Sequence, residues 1–317
     1  MDYLIKWKTV SIKVSCKCDI EIERCVSPYY EMEEYDGGKF DKEFIVLVSD
    51  VPQIIWKEEQ GTLLLMTKAM SEDLYKAIAV LLNVLIKRVM QEKGMYVLHA
   101  SSVVIDNRVI LMFGSSGSGK TAMALNLGCK KGIAFLSNGS SVVKYEGDSF
   151  SVVGTYKTGI KIRKSTLKQY NTTLCNQIFG KSQDENDFDK KVVLLPEQMG
   201  MINGEKELRD NNIIELYIIQ LDKIHPKIKQ NKEYNYKVSM QLYEDLTREI
   251  DGAEVYVNID GTPLFVPSFD NEILFKKRVE FINRFMRDHF EGTVMGGLNE
   301  VSDKLISGEN KLNEGSR

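Results

Sequence analysis

Val109-Ile110-Leu111-Met112-Phe113-Gly114-Ser115-Ser116-Gly117-Ser118-Gly119-Lys120-Thr121 decides the fold of this chain. Five apolar residues read as a buried strand, and the eight that follow match G-x-x-x-x-G-K-[S/T] in full. Each part of that pattern has a physical task. Gly114, Gly117 and Gly119 permit backbone conformations in which successive N–H groups turn inward toward phosphate oxygens. Lys120 carries compensating charge to the outer phosphates, and the Thr121 hydroxyl can ligate Mg²⁺. The spacing predicts a helix over 121–131, stopped by Gly132, whose positive end adds to the field. Expected nucleotide contacts are therefore Gly114, Ser115, Ser116, Gly117, Ser118, Gly119, Lys120, Thr121 and Ala122.

Upstream, Tyr96–Ile105 reads as a strand and Asp106-Asn107 as a turn, so the loop is fed by an antiparallel hairpin. Most loops of this type follow a parallel strand instead. Downstream, Ile133–Ser137 and Ser140–Tyr145 read as a second hairpin around Asn138-Gly139, the strongest short hairpin signal. Residues 1–67 alternate in short strand-like pieces at Leu4–Val14, Phe44–Val48 and Thr62–Met66. Ser71 is a plausible N-cap for an apolar helix closed by Gly94. Leu242–Ile250 and Asn271–Phe290 read as further helices. The expected organisation is a strand-rich module over 1–93, a phosphate-loop domain over 94–300 and a polar tail over 301–317.

The chain has 317 residues, 43% hydrophobic and 27% charged, with formal net charge -3. That composition argues against a basic nucleic-acid grip. The strongest apolar run, Ala77–Ile86, is about half what a membrane span needs. Cys16, Cys18 and Cys25 lack a second ligand pair at zinc spacing, and a reducing compartment suits the five cysteines, so a cytoplasmic location is expected.

Tyr96-Val97-Leu98-His99-Ala100-Ser101-Ser102-Val103-Val104, then Val109–Thr121, then Gly132-Ile133-Ala134-Phe135-Leu136-Ser137, resemble the catalytic domain of HPr kinase/phosphorylase. That family shares a core with phosphoenolpyruvate carboxykinase. The likeness is closest to the shorter HPr-kinase-like proteins found with peptide natural-product genes, including lasso-peptide precursor kinases. It implies an α/β (α+β) fold with a mixed sheet and hairpins, and a kinase that phosphorylates a serine hydroxyl using ATP, or another nucleoside triphosphate, with Mg²⁺. His99 maps to the family's His-Ala motif.

One departure stands out. The family ends its next strand in a pair of acids, and here Asn138-Gly139 stands there. The Asn138 amide oxygen can ligate a metal but cannot serve as a base. His99, Glu146 or Asp148 could supply one, or transfer could proceed with little base assistance through a loose transition state. Lys120, His99 and Asn138 are the expected catalytic residues, with Thr121 and Asn138 toward Mg²⁺. Arg163 and Arg209 could hold phosphate or an acidic peptide. Expected partners are a nucleotide and a peptide or small-protein acceptor, a biosynthetic precursor peptide among them; nucleic acid and membrane are not expected, and homo-oligomers are allowed. A catalytically weak nucleotide-binding regulator and a small-molecule kinase or NTPase remain as alternatives.

Overall fold

The computed structural model describes residues 2–18, 20–68, 71–157, 159–170, 172–180, 190–222, 224–232, 236–248, 250–251 and 256–308. The chain divides into two units, residues 1–96 with 237–282 and residues 97–236 with 283–317. The sequence spacing had kept 94–300 together, whereas 237–282 pack with the N-terminal residues.

The first unit is built on β1 (Asp2–Trp7), β2 (Val10–Cys16), β3 (Glu31–Glu34), β4 (Lys42–Val48), β5 (Gln53–Lys57) and β6 (Thr62–Thr67), followed by α1 (Glu72–Glu92). The six strands form one mixed sheet in the order β3-β1-β2-β4-β6-β5. The stretch 4–14 is two strands rather than one, because Lys8 adopts a positive φ of 51° and turns the chain back. Ser71 Oγ accepts from the Leu74 N–H at 3.3 Å, an N-cap that satisfies one orphan donor of α1. Two arginines are fully buried here. Arg88 bonds Glu58 at 2.6 Å and Glu92 at 3.1 Å, and Arg278 pairs with Asp270 and meets Gln91 Oε1 at 3.1 Å.

The second unit begins with β7 (Met95–Leu98), of which Val97 and Leu98 belong to it, then β8 (Ser101–Ile105), β9 (Arg108–Phe113) and α2 (Lys120–Gly128). Next come β10 (Ile133–Asn138), β11 (Ser141–Glu146), β12 (Ser149–Thr155), β13 (Ile160–Arg163), α3 (Lys164–Tyr170) and α4 (Thr172–Phe179). β14 (Lys191–Leu194), β15 (Ile202–Asn203), β16 (Ile213–Leu221) and β17 (Lys229–Asn231) follow. The chain then supplies α5 (Tyr236–Arg248), β18 (Tyr256–Ile259), β19 (Thr262–Phe265) and most of α6 (Glu272–His289) to the first unit. It ends the second with β20 (Phe290–Gly296) and α7 (Leu298–Ser307).

The main sheet of the second unit is mixed, in the order β15-β10-β8-β9-β16-β20-β17. β8 and β9 are antiparallel, joined through Asp106-Asn107 with Ile105 opposite Arg108. β9, β16 and β20 run parallel. β10 is antiparallel to β8 and so points the same way as β9. The C-terminal ends of β9, β10, β16 and β20 therefore share one edge, the edge at which open α/β sheets hold their ligands.

The second expected hairpin does not form. β10 and β11 lie in different sheets, with β10 between β8 and β15 and β11 between β12 and β7. The type I′ turn that Asn-Gly favours in a hairpin needs positive φ at both central residues. Gly139 has φ 98°, but Asn138 stays extended as the last residue of β10, opposite Ser101. The tight turn sits later, at Gly147 (φ 55°) and Asp148 (φ 69°), where Glu146 faces Ser149.

Residues 298–307 form α7, with Val301 and Leu305 fully buried, where composition suggested a polar tail from 301. Leu298, Val301 and Leu305 fall at helical spacing, which outweighs the polar average of the segment. Residues 309–317 lie outside the described residues. Arg108 ties this helix to the sheet, pairing with Glu215 at 2.7 and 2.8 Å and donating to the Leu305 and Ile306 carbonyls at 2.9 and 3.2 Å.

His289, at the end of α6, is packed against Phe150 and Phe285 with ring centroids 4.9 and 5.2 Å away. Its Nδ1 lies 3.1 Å from the Ile214 carbonyl, so that nitrogen carries the proton, and Nε2 is buried without a partner. Burial pulls its pKa down, against the Ile214 bond and the charges of Asp288 and Glu291. A depressed folded-state pKa means stability is held above the unfolded value of about 6.5 and lost as pH falls through the folded one. His289→Phe is expected to flatten the fall in apparent melting temperature between about pH 7 and pH 5. An unchanged slope in that variant would remove His289 from the account.

Candidate phosphate-binding site

β9 is central and apolar on both faces, with Val109–Phe113 each at most 1% exposed, so its end is held on all sides. The chain leaves it into a glycine loop that other side chains could not follow. Gly114 has φ 146°, and a Cβ there would sit 3.0 Å from the Ile219 carbonyl oxygen and 2.8 Å from Ser118 Oγ. Gly117 has φ 81°. Gly119, with φ 97°, occupies the N-cap of α2, and a Cβ there would lie 2.5 Å from the Leu221 side chain. Leu221 N–H donates to the Ser118 carbonyl at 2.9 Å, fastening the loop to the end of β16.

The loop and β16 enclose a recess of about 290 Å³ lined by residues 114–118 and 218–221. No side chain caps α2, and no acid stands in its first turn, so its first N–H groups and positive end are left for an anion. Lys120 is 8% exposed and folds back, its Nζ donating to the Gly114 carbonyl at 2.6 Å and the Ser115 carbonyl at 3.0 Å. Ser118, which lines the recess, has a buried hydroxyl with no hydrogen-bond partner. A buried orphan hydroxyl is costly by about 1–3 kcal/mol, and a phosphate oxygen would satisfy it. The residues present therefore fit a polyphosphate.

Thr121 Oγ1 donates to Asn138 Oδ1 at 2.8 Å. Asn138 Nδ2 donates to the Lys161 carbonyl at 3.1 Å, which turns the amide oxygen toward Thr121. Two neutral oxygens so placed suit a hard cation, and Thr121 and Asn138 are the residues that would hold Mg²⁺. When bound, the ion would neutralise charge on the phosphates beside it. Among the described residues no group of three or more His, Cys, Asp or Glu side chains could hold a metal, so Cys16, Cys18 and Cys25 form no such centre.

His99 is exposed at the bend between β7 and β8. Its ring lies beside Gly139, where a Cβ would be 3.6 Å from His99 Cε1. A knot of buried hydroxyls holds this corner together. Ser137 and Ser141 both donate to the Ala100 carbonyl, at 3.1 and 3.0 Å, and each lies 2.9 Å from Ser102 Oγ. The bend that carries His99 is thereby pinned to the end of β10 that carries Asn138.

The other residues singled out in the sequence lie elsewhere. Glu146 is five residues along β11 from Ser141, roughly 16 Å at the rise of an extended strand. It pairs there with Lys144, and Asp148 in the next turn pairs with Arg284. Arg209 lines a separate recess with Asp106, Asn107 and Gly132, at the opposite end of β9. Arg163 stands two residues beyond Lys161 on β13.

One pair escaped the sequence reading. Asp222 follows β16 directly, on the edge that carries the loop. Its carboxylate accepts from the Ile224 and His225 N–H groups at 2.8 and 3.0 Å and lies 3.1 Å from His225 Nδ1. The two N–H bonds, His225 first, and then the His225 ring hold its pKa below the usual carboxylate range. The available signal was the stretch Ile213–Leu221, apolar but for Glu215 and Gln220 and rich in β-branched residues, which reads as a strand with an acid directly after it.

Among the described residues no helix is long and apolar enough to cross a membrane. No family model matches the chain, and no curated protein matches it. Among solved structures it is similar to the Hpr(Ser) kinase/phosphatase from Coxiella burnetii at 12% identity, over 60% of this chain and 91% of that one, with a TM-score of 0.21. The site's own geometry therefore carries the functional argument.

Proposed function

We propose that this protein is a kinase that binds ATP with Mg²⁺ at residues 114–121 and transfers the γ-phosphoryl group to a serine hydroxyl of a peptide or protein. The observation that carries the reading is the Thr121–Asn138 hydrogen bond, which puts two metal-competent oxygens beside a glycine loop with a buried lysine and an uncapped helix. The serine acceptor rests on the sequence resemblance through His99-Ala100, with a biosynthetic precursor peptide as one candidate. Catalysis in this arrangement is positioning and charge compensation, since Asn138 takes no proton at neutral pH. His99, beside Gly139, is the nearest titratable side chain named for that task.

The deciding experiment incubates purified protein with ATP, Mg²⁺ and serine-containing peptides and follows peptide mass. A gain of one phosphate, absent when the serine is alanine, is expected. ADP release with unmodified peptide would move the reading to a small-molecule kinase or NTPase. A second reading, a nucleotide-binding regulator with little turnover, is favoured by one observation: both polar ends of Asn138 are engaged and neither is a base. Asn138→Asp separates the two. A carboxylate at that position should tighten Mg²⁺ and raise the transfer rate about tenfold or more if chemistry is already present. No measurable transfer in either form would favour the regulator.

A further inference from the structure

Beside β10, on the side away from the phosphate loop, runs the short strand β15. Ala134 faces Ile202 and Phe135 faces Asn203 in their parallel ladder, so the chain beyond Asn203 heads for the edge on which β10 ends. There it winds into a 3₁₀ turn, Gly204–Glu207. Gly204 lies so close on β10 that a Cβ would be 2.8 Å from Leu136 Cα and from the Phe135 carbonyl oxygen. Asn203 caps the turn, its Oδ1 accepting from the Glu205 N–H at 3.0 Å. The backbone of Glu205 is thereby fixed about one strand spacing, roughly 5 Å, to the side of the last residues of β10.

Its carboxylate is tied from a second direction. Glu205 Oε1 accepts from the Thr155 N–H at 3.1 Å. Thr155 Oγ1 lies 3.1 Å from Ser140 Oγ, and Ser140 stands two residues past Asn138. Glu205 is thus bracketed by residues on both sides of Asn138-Gly139, the corner where Asn138 meets Thr121 and Gly139 meets His99. The side chain is half-buried, and among the described residues no cation pairs with it and Oε2 has no partner. A carboxylate anchored by one oxygen and open at the other can still accept from a hydroxyl. The neighbouring acids are differently placed. Asp222 has both oxygens engaged, by the Ile224 and His225 N–H groups and by the His225 ring, and Glu197 takes the Asn203 amide at 3.0 Å.

We propose that Glu205 is the general base of the transfer, taking the proton of the acceptor serine on Oε2. As the bond from the serine oxygen to the γ-phosphorus forms and the bond from that phosphorus to the ADP oxygen breaks, the hydroxyl proton passes to Glu205 and from there to water. The inference rests on the kinase reading. It gives the corner the proton acceptor that Asn138 cannot be.

The test compares the parent chain with Glu205→Gln, which keeps an oxygen for the Thr155 N–H and loses the proton-accepting group. Both receive ATP, Mg²⁺ and a serine-containing peptide, with phosphopeptide followed by mass and ATP binding by thermal stabilisation. Turnover at saturating ATP and peptide is expected to fall about a hundredfold in the variant, with the peptide KM and the ATP affinity each within about threefold. Turnover equal to the parent's overturns the proposal and leaves the kinase standing. A loss confined to peptide KM overturns it as well, since Glu205 then holds a cationic group of the peptide. So does a loss recovered by more Mg²⁺, since the carboxylate then serves the metal. Failure of ATP to stabilise Glu205→Gln would make Glu205 a support of the corner and no base. A parent that binds ATP and modifies no peptide sinks the kinase reading itself, and the role of Glu205 with it.

Discussion

Lys120→Ala is expected to lower nucleotide affinity at least about a hundredfold and to abolish phosphoryl transfer. Lys120 is 8% exposed and its ammonium is held over the loop by the Gly114 and Ser115 carbonyls, so it is already largely desolvated. A lysine held this way loses little on exchanging two carbonyl partners for phosphate oxygens that carry full charge. The loop's other groups are neutral dipoles, which position an anion without compensating it. Thermal stability with and without nucleotide reads the effect directly. Ligand at a hundred times its dissociation constant stabilises by about 2.7 kcal/mol, and the variant should show almost none of that shift. A variant that is stabilised by ATP as much as the parent would show that the phosphates are held elsewhere.

Gly119→Ala is expected to disable the loop even though it adds only one methyl group. The φ of 97° lies in the left-handed half of backbone space, which costs a residue with a Cβ about 1–3 kcal/mol. The added carbon would also lie 2.5 Å from the Leu221 side chain, and overlap of that kind costs about 1–3 kcal/mol more unless the neighbour shifts. The two costs separate experimentally. Leu221→Ala in the same chain removes the two carbons at 2.5 Å and leaves Cβ at 2.9 Å together with the backbone strain, so the double variant should recover part of the nucleotide affinity and not all of it. Full recovery would mean that the φ carries no strain, and no recovery would mean that the γ and δ carbons of Leu221 carry none of the effect. Gly114→Ala meets Ser118 Oγ at 2.8 Å and also the Ile219 carbonyl oxygen at 3.0 Å, so truncating a side chain cannot relieve the whole clash.

Much of the fold was legible because the signals were local. Five apolar residues before a glycine loop read as β9 and were β9. Asp106-Asn107 read as a turn, and Ile105 does face Arg108 across it. Ser71 read as an N-cap and accepts from Leu74. Each of these depends on dihedral preferences and hydrogen bonds within a few residues, which neighbouring side chains suffice to specify. The mixed sheet was expected from the family resemblance. The helix over 298–307 was not, because the polar average of the last residues hid three apolar positions at helical spacing.

Asn138-Gly139 shows where local reasoning stops. As a dipeptide it favours a hairpin, and yet β10 and β11 part there into two sheets. The preference of two residues for a turn was outweighed by the pairing of β10 with β8 on one side and of β11 with β12 on the other. Because the chain does not turn back, Asn138 stays extended and its amide reaches Thr121, seventeen positions earlier. Asp222 comes to the sheet edge that carries the loop in the same way, through the parallel pairing of β16 with a strand a hundred residues before it.

The sequence alone determined the loop and the hairpin that feeds it, because glycine φ preferences and an apolar run act over a few residues. Tertiary structure alone decided which strand ends share an edge, that 237–282 pack with 1–96, and that the Lys161 carbonyl holds the amide that faces Thr121. Those outcomes depend on strand pairing and burial between distant segments, whose energies come from partners no local window contains.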